Sequence, residues 1–250
     1  MKLVSLFRKH IETVMRVVLL CLLVGYLILA MLMPPLGGET SSFILPLVSM
    51  TESGNFAITE EELQDAVQLF PSFQADLEGQ YERHLPRDEQ GNIYPYYFGA
   101  YIFLCIPIFM TLQLFHLNVL YSFSITNALL LVGALYLVYS RSHLKNHLRL
   151  LLILFLGLSP IVPYIPWISY ETATCAFVIA SMVYWFTNRR NLSALLLSVA
   201  GTMNPTVMAF GILMILEYFF QRLQADGWHV FCFVRRCVSD WKEIGIYALC

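Results

Sequence analysis

The stretch ETVMRVVLLCLLVGYLILAMLM, residues 12–33, carries one acid and one base near its start and is almost entirely apolar after them. A run of about 18 or more apolar residues is long enough to cross a bilayer as a helix. Similar runs occur at 121–140, 150–166, 172–187 and 192–220. Backbone groups cannot stay unpaired in lipid, so these runs predict helices and not open sheets. The predicted fold class is all-α: a polytopic integral membrane helical bundle with about six transmembrane helices.

The composition points to the same class of protein. Of 250 residues, 58% are hydrophobic and only 13% are charged, which is unlike an ordinary soluble domain. The net charge of −2 gives no electrostatic case for a nucleic-acid partner. The 6 cysteines have no metal-binding spacing and predict no disulfide framework. No motif for a divalent metal or another cofactor is present, so cofactor use is left open.

The positions of the bases predict the orientation. Lys2, Arg8, Lys9 and Arg16 precede or begin the first apolar run, and such bases favour the cytoplasmic side. The run is long for a cleaved signal peptide, so we interpret it as a retained signal anchor. Residues 34–120 then form a large extracytoplasmic loop, which is rich in acids.

The segment 98–116 leaves two topologies open. If it crosses the membrane, the basic loops at 141–149 and 188–191 lie outside; if it lies in the interface, both lie inside, as the charge rule prefers. We favour the interfacial helix, because Pro107 and several aromatic residues interrupt the segment. The break GTMNP, at 201–205, similarly favours two short helices over one long kinked helix.

These choices set the predicted organisation of the chain. Residues 1–33 are the cytosolic N-terminus and first transmembrane helix, and 34–120 the extracytoplasmic loop with its interfacial helices. Residues 121–221 hold the remaining transmembrane helices with cytosolic basic loops. Residues 222–250 are a cytosolic C-terminal segment of a chain that we expect to be incomplete.

One helix of the outer loop can be predicted in detail. The stretch TEEELQDAVQLF, residues 59–70, begins with Thr59 and has Glu62 three positions later. This spacing is that of a capping box, in which each side chain satisfies a free backbone donor at the helix start. An apolar face follows, and Pro71 is expected to end the helix.

Five polar residues are candidates for chemistry. Glu39 lies just beyond the first helix, where a carboxylate at the membrane surface can act as general base; the alternative is a solvated loop acid. Arg83 and Arg87 are the candidate phosphate ligands of the outer loop, or else surface residues paired with nearby acids. Glu171 and Asn204 lie at predicted outer turns, where each can instead start or cap a helix.

The order of several motifs resembles the polytopic GT-C glycosyltransferases, in particular the branch of the protein O-mannosyltransferases and lipid A aminoarabinose transferases. GETSSFILPLVSMTESGNFAI, at 38–58, is similar to the acidic motif after the first helix, with Glu39 as its acid. GNIYPYYFGAYIFLCIP, at 91–107, and SPIVPYIPWISYE, at 159–171, are similar to later segments. GTMNPT, at 201–206, has a counterpart in a short outer hairpin of the family.

The resemblance implies transfer of a sugar from a polyprenyl-phosphate donor to an extracytoplasmic acceptor. Glu39 would then be the catalytic base, and Arg83, Arg87, Glu171 and Asn204 would bind substrate. It also implies a bacterial plasma membrane, a role in the cell envelope, and membrane lipids as partners.

The chain departs from the family in having one acid where a pair is common, and Asn204 where a base is common. Family members usually run longer, so a truncated or divergent member is expected, and a non-catalytic scaffold or lipid-binding component of an envelope-polysaccharide pathway is the alternative.

Overall fold

The computed structural model describes residues 2–37, 40–83, 87–89, 91–94 and 99–220, without the side chains at 2–9, 80, 82 and 83. Within these ranges the protein is helical, with isolated β-bridges and no strand. The all-α prediction is therefore confirmed. The helices are α1 (Lys2–Leu32), α2 (Thr40–Glu52), α3 (Glu60–Leu69), α4 (Gln74–Arg83), α5 (Ala100–Leu114), α6 (Tyr121–Arg141), α7 (Asn146–Gly157), α8 (Glu171–Phe186) and α9 (Arg190–Met203).

Helices α1, α6, α7 and α8 pack around one apolar cluster, which we call the bundle core. Its fully buried members include Met15, Leu131, Leu135 and Ile153. Helix α1 is antiparallel to α6. Arg16, midway along α1, donates a hydrogen bond of 2.9 Å to the Tyr139 hydroxyl near the end of α6. Leu36, just after α1, bonds the same segment, 165–168, that Asn127 near the beginning of α6 bonds. Helix α9 packs against α8.

A second cluster, the cap core, is formed by α2, α3, α4, α5 and the beginning of α6. Phe43, Leu47, Phe70, Phe109 and Phe123 are all buried there. Helix α6 thus belongs to both cores, with its first turns in the cap core and its later turns in the bundle core. The predicted extracytoplasmic loop, 34–120, holds most of the cap core.

The predicted outer-loop helix is confirmed at its start and its end. The Thr59 side chain accepts from the Glu62 backbone N–H, and a Glu62 carboxylate oxygen accepts from the Thr59 N–H at 2.9 Å. The other Glu62 carboxylate oxygen accepts a hydrogen bond from Ser53, which ties the end of α2 to the start of α3. The helix ends at Leu69, before a 3-10 turn that begins with Pro71.

Two helices in the described ranges are long and apolar enough to cross a bilayer: His10–Leu32 and Tyr121–Arg141. The predicted span at 150–166 contains a shorter helix, because α7 ends at Gly157 and Val162–Tyr164 is a 3-10 turn. The 12 residues of α7 reach about 18 Å at the helical rise of ~1.5 Å per residue, against a hydrocarbon core of about 30 Å. The prediction of about six crossings thus rests on helices shorter than a full span.

The predicted break near 201–205 is confirmed. Helix α9 ends at Met203, Asn204 has an extended conformation, and a new helical stretch, Pro205–Phe220, begins with a 3-10 turn. The chain divides into two compact units, Met1–Thr206 and Val207–Cys250. In the second unit the described residues are 207–220, and the predicted C-terminal segment, 222–250, lies outside the described residues.

Candidate functional site

A short parallel bridge brings together the two parts of the chain that hold the candidate acids. The Leu36 N–H donates to the Pro166 carbonyl at 3.0 Å, and the Ile168 N–H donates to the Leu36 carbonyl at 3.1 Å. The chain leaving α1 therefore lies beside the segment that leads into α8. In sequence, Glu39 follows Leu36 by three positions, and Glu171 follows Ile168 by three positions.

Glu171 is the first residue of α8, where an acid favours the positive end of the helix dipole. This is the helix-start role that the sequence left open. One of its carboxylate oxygens, Oε2, is buried and has no hydrogen-bond partner among the described residues. A buried oxygen without a partner is costly in a folded protein, so this carboxylate is available to a ligand or to water.

Several hydroxyl groups at the start of α2, in α6 and at the start of α8 share this property. Thr172 is fully buried and Thr40 is 2% exposed, and neither hydroxyl has a partner within the described part of the chain. The same holds for other side chains of α6 and of the residues at the start of α8: Ser122, Ser124, Ser169 and Thr174. Hydroxyl groups both donate and accept hydrogen bonds, so those close to Glu171 in sequence at the start of α8, a region we call the junction, are able to bind a polar ligand.

Aromatic contacts show which helices meet at this junction. The Phe43 ring of α2 packs edge-on against Tyr101 of α5, with ring centroids 5.5 Å apart. Phe43 also packs against Tyr170, just before α8, at 5.8 Å. Tyr101 in turn contacts Phe123 of α6 at 6.2 Å. The junction thus lies where α2, α5, α6 and α8 converge.

A buried amide fixes the segment before α8. Asn127 of α6 is fully buried, and its Nδ2 donates to the carbonyls of Ile165, at 3.3 Å, and Trp167, at 3.1 Å. Its Oδ1 accepts a hydrogen bond of 3.0 Å from the Tyr101 hydroxyl. Sequence reasoning missed both Asn127 and Tyr101. The available signal was an amide within a predicted membrane span, where polar residues are costly and rarely without a role.

The titratable groups of α5 at this junction stay protonated near neutral pH. Burial raises the pKa of the Tyr101 hydroxyl well above its usual value, and the neighbouring Cys105 thiol and the Glu171 carboxylate act in the same direction. Burial likewise raises the pKa of Cys105 to about 12. Tyr101 therefore serves as a hydrogen-bond donor and Cys105 as a neutral side chain.

The other candidates have separate surroundings. Arg87 is exposed and lies over the Tyr81 ring, 4.8 Å from its centroid, while its Nη2 donates to the Tyr81 carbonyl at 2.9 Å. It lines a cleft of about 500 Å³ between α3 and α4. The Asn204 side chain accepts a hydrogen bond of 3.1 Å from the Thr206 backbone N–H, which confirms a local capping role. Glu39 and the side chain of Arg83 lie outside the described residues.

The described acids, histidines and cysteines form no candidate metal centre. Within the described part of the chain, no three acids, histidines or cysteines lie close enough together to hold a metal ion. Comparison of the chain with protein-family models, with curated proteins and with solved structures found no significant match.

Proposed function

We propose that the protein is a membrane glycosyltransferase that moves a sugar from a polyprenyl-phosphate donor to an extracytoplasmic acceptor. The observation that carries the proposal is the junction at the start of α8. There the bridge of Leu36 with Pro166 and Ile168 joins the chain leaving α1 to the segment that leads to Glu171, one of whose carboxylate oxygens is buried without a partner among the described residues. A donor sugar and an acceptor hydroxyl are polar ligands that such a junction suits.

In this proposal Glu39 takes the proton of the acceptor hydroxyl as general base. The acceptor oxygen forms a bond to the anomeric carbon of the sugar, and the bond from that carbon to the donor phosphate oxygen breaks. Polyprenyl phosphate then leaves with the electron pair. Glu171 and the hydroxyls near it hold the sugar, and Arg83 and Arg87 interact with the donor phosphate.

The proposal includes a bacterial plasma membrane, a cytoplasmic N-terminus and about six crossings, with 98–116 in the interface. The apolar surface supports a lipid environment. Helix α1 exposes Leu20, Val24 and Ile28, and α7 exposes Leu151 and Phe155. Apolar surfaces of this extent are unusual on soluble monomers. The short helices α7, α8 and α9 would cross together with the segments that link them.

Two observations favour a second candidate, a non-catalytic scaffold or lipid-binding component of an envelope-polysaccharide pathway. The Arg87 guanidinium is engaged by its own turn, through Tyr81 and the Gly91 carbonyl. Asn204 caps the turn that follows it. Both residues therefore have structural roles that require no substrate.

Native mass spectrometry of the purified full-length chain separates the two candidates. We expect a polyprenyl-phosphate lipid to remain bound, with a mass that identifies the sugar.

We also expect Glu39→Gln to reduce transfer by about 10²- to 10⁴-fold, as for loss of a general base, while the exposed loop variant Glu89→Gln retains the transfer activity. If ordinary phospholipids alone bind, even after the carrier lipid is added, the scaffold replaces the enzyme.

A further inference from the structure

An apolar groove opens in the bundle at the end opposite the cap core. It lies between the last turns of α6, the middle of α7 and the last turns of α8, and has a volume of about 500 Å³. This is within the usual size range of small-molecule sites. Its lining, which includes Leu144, Leu152 and Phe186, is apolar except for Ser142 and His143 at one side.

The polar side of the groove is basic. The loop that contributes Ser142, His143 and Leu144 lies between Arg141 and Lys145. The side chains of Arg141, His143 and Lys145 are all exposed. Between positions 141 and 203 the sequence contains a single acid, Glu171, at the opposite end of α8. An anionic group bound at the groove would therefore meet positive charge without a nearby carboxylate from these helices.

Arg149 holds the basic loop in place. Its guanidinium donates to the carbonyls of Tyr139 at 2.9 Å, Ser142 at 3.0 Å and Leu144 at 3.1 Å. These bonds satisfy carbonyls at the end of α6 that lack helical partners. Because they fix Ser142 and Leu144, they also fix one edge of the groove beside its basic residues.

We infer that this groove binds an anionic glycerophospholipid. One acyl chain occupies the apolar groove, and the headgroup phosphate contacts Arg141, His143 and Lys145. Basic pockets between membrane helices on the cytoplasmic side recognise anionic headgroups in this way. The inference rests on the proposed membrane location and is independent of the proposed transferase activity.

Native mass spectrometry of the full chain in neutral detergent tests this site. The chain is mixed with equimolar phosphatidylglycerol and phosphatidylcholine that have the same acyl chains. We expect phosphatidylglycerol to be retained about tenfold more strongly, because each base near an anionic headgroup adds favourable energy. The double variant R141Q/K145Q should reduce its retention to the level of phosphatidylcholine.

Two further variants identify the source of the effect. R235Q/R236Q removes the same number of charges from the C-terminal segment, which has no part in either proposed site, and should leave the selectivity unchanged. Leu152→Trp fills the groove and should reduce retention of both lipids while the bases remain. Equal retention of the two lipids by the unmodified chain, or an equal loss in R235Q/R236Q, would overturn the inference. If Leu152→Trp does not fold, the two charge variants decide the question.

Discussion

At the scale of single residues, Asn127 explains how an irregular segment can stay folded inside the protein. Residues 165–168 are largely buried but are not part of a helix. Their carbonyls need hydrogen bonds that neither water nor a helix supplies. The Asn127 amide bonds two of them, and the Leu36 N–H bonds a third. One amide thus positions the segment that delivers Glu171 to the junction.

We predict that Asn127→Leu lowers the free energy of unfolding by about 3 kcal/mol, because it leaves buried groups of Tyr101, Ile165 and Trp167 without partners. Tyr101→Phe removes one of these groups together with its bond and should cost about 1 kcal/mol. Denaturant unfolding in micelles measures both values. Adding Tyr101→Phe to Asn127→Leu should restore part of the stability; simple additivity of the two losses would contradict the proposed network.

At the scale of helices, α1 and α7 approach each other closely at a glycine. Gly157 ends α7, and its carbonyl accepts a hydrogen bond from the Tyr26 hydroxyl of α1. A Cβ at this position would lie 2.7 Å from Leu22 Cδ1 and 3.3 Å from the Tyr26 hydroxyl oxygen. In lipid, small residues of this kind let helices pack by van der Waals contact, because burial of apolar surface gains little there.

We predict that Gly157→Ala lowers stability by about 1 kcal/mol through this overpacking. Gly133→Ala in α6 is the matched control, since a Cβ there has nothing within 4 Å. The control should be neutral or should stabilise the helix by up to about 1 kcal/mol, because alanine favours helices over glycine. Thermal unfolding of both variants in one detergent gives the comparison. Equal effects of the two substitutions would mean that the α1–α7 contact does not limit packing.

At the scale of the whole molecule, most charges of the first compact unit, Met1–Thr206, are separated between two ends, although Glu12 lies close to Arg16 at the basic end. Arg16, Arg141, Lys145 and Arg149 lie at the end of the bundle far from the cap core, because α1 is antiparallel to α6. The cap carries the acids of α3, which include Glu60, Glu61, Glu62 and Asp65. This separation suits a membrane protein with its basic end in the cytoplasm.

We predict that single cysteines at Lys145 and Glu89 label from opposite sides of the membrane. In a chain with its native cysteines replaced, Lys145→Cys should react with a membrane-impermeant maleimide only after the cells are permeabilised. Glu89→Cys should react in intact cells. Labelling of both positions in intact cells would instead mean that 98–116 crosses the membrane.

Local features of the fold were predictable from sequence, whereas contacts between distant segments were not. The capping box of Thr59 and Glu62 and the break before Pro205 each depend on residues within a few positions. The length of α7 was not predicted, since hydropathy continues past Gly157 although the helix does not. The role of Glu171 as a helix start follows from local sequence, but the bonds of Asn127 join positions up to 40 residues apart, which no local pattern reveals.

The antiparallel packing of α1 with α6 has a consequence for biosynthesis. Helix α1 is synthesised before its partners α6 and α7, which begin only at Tyr121 and Asn146. In the proposed membrane location, α1 would persist in the bilayer as a single helix during that interval, and its apolar length of 23 residues is sufficient for this. Arg16 can bond to Tyr139 only once α6 has been synthesised. Assembly of the bundle core is therefore a late event in synthesis, after the whole cap sequence has been translated.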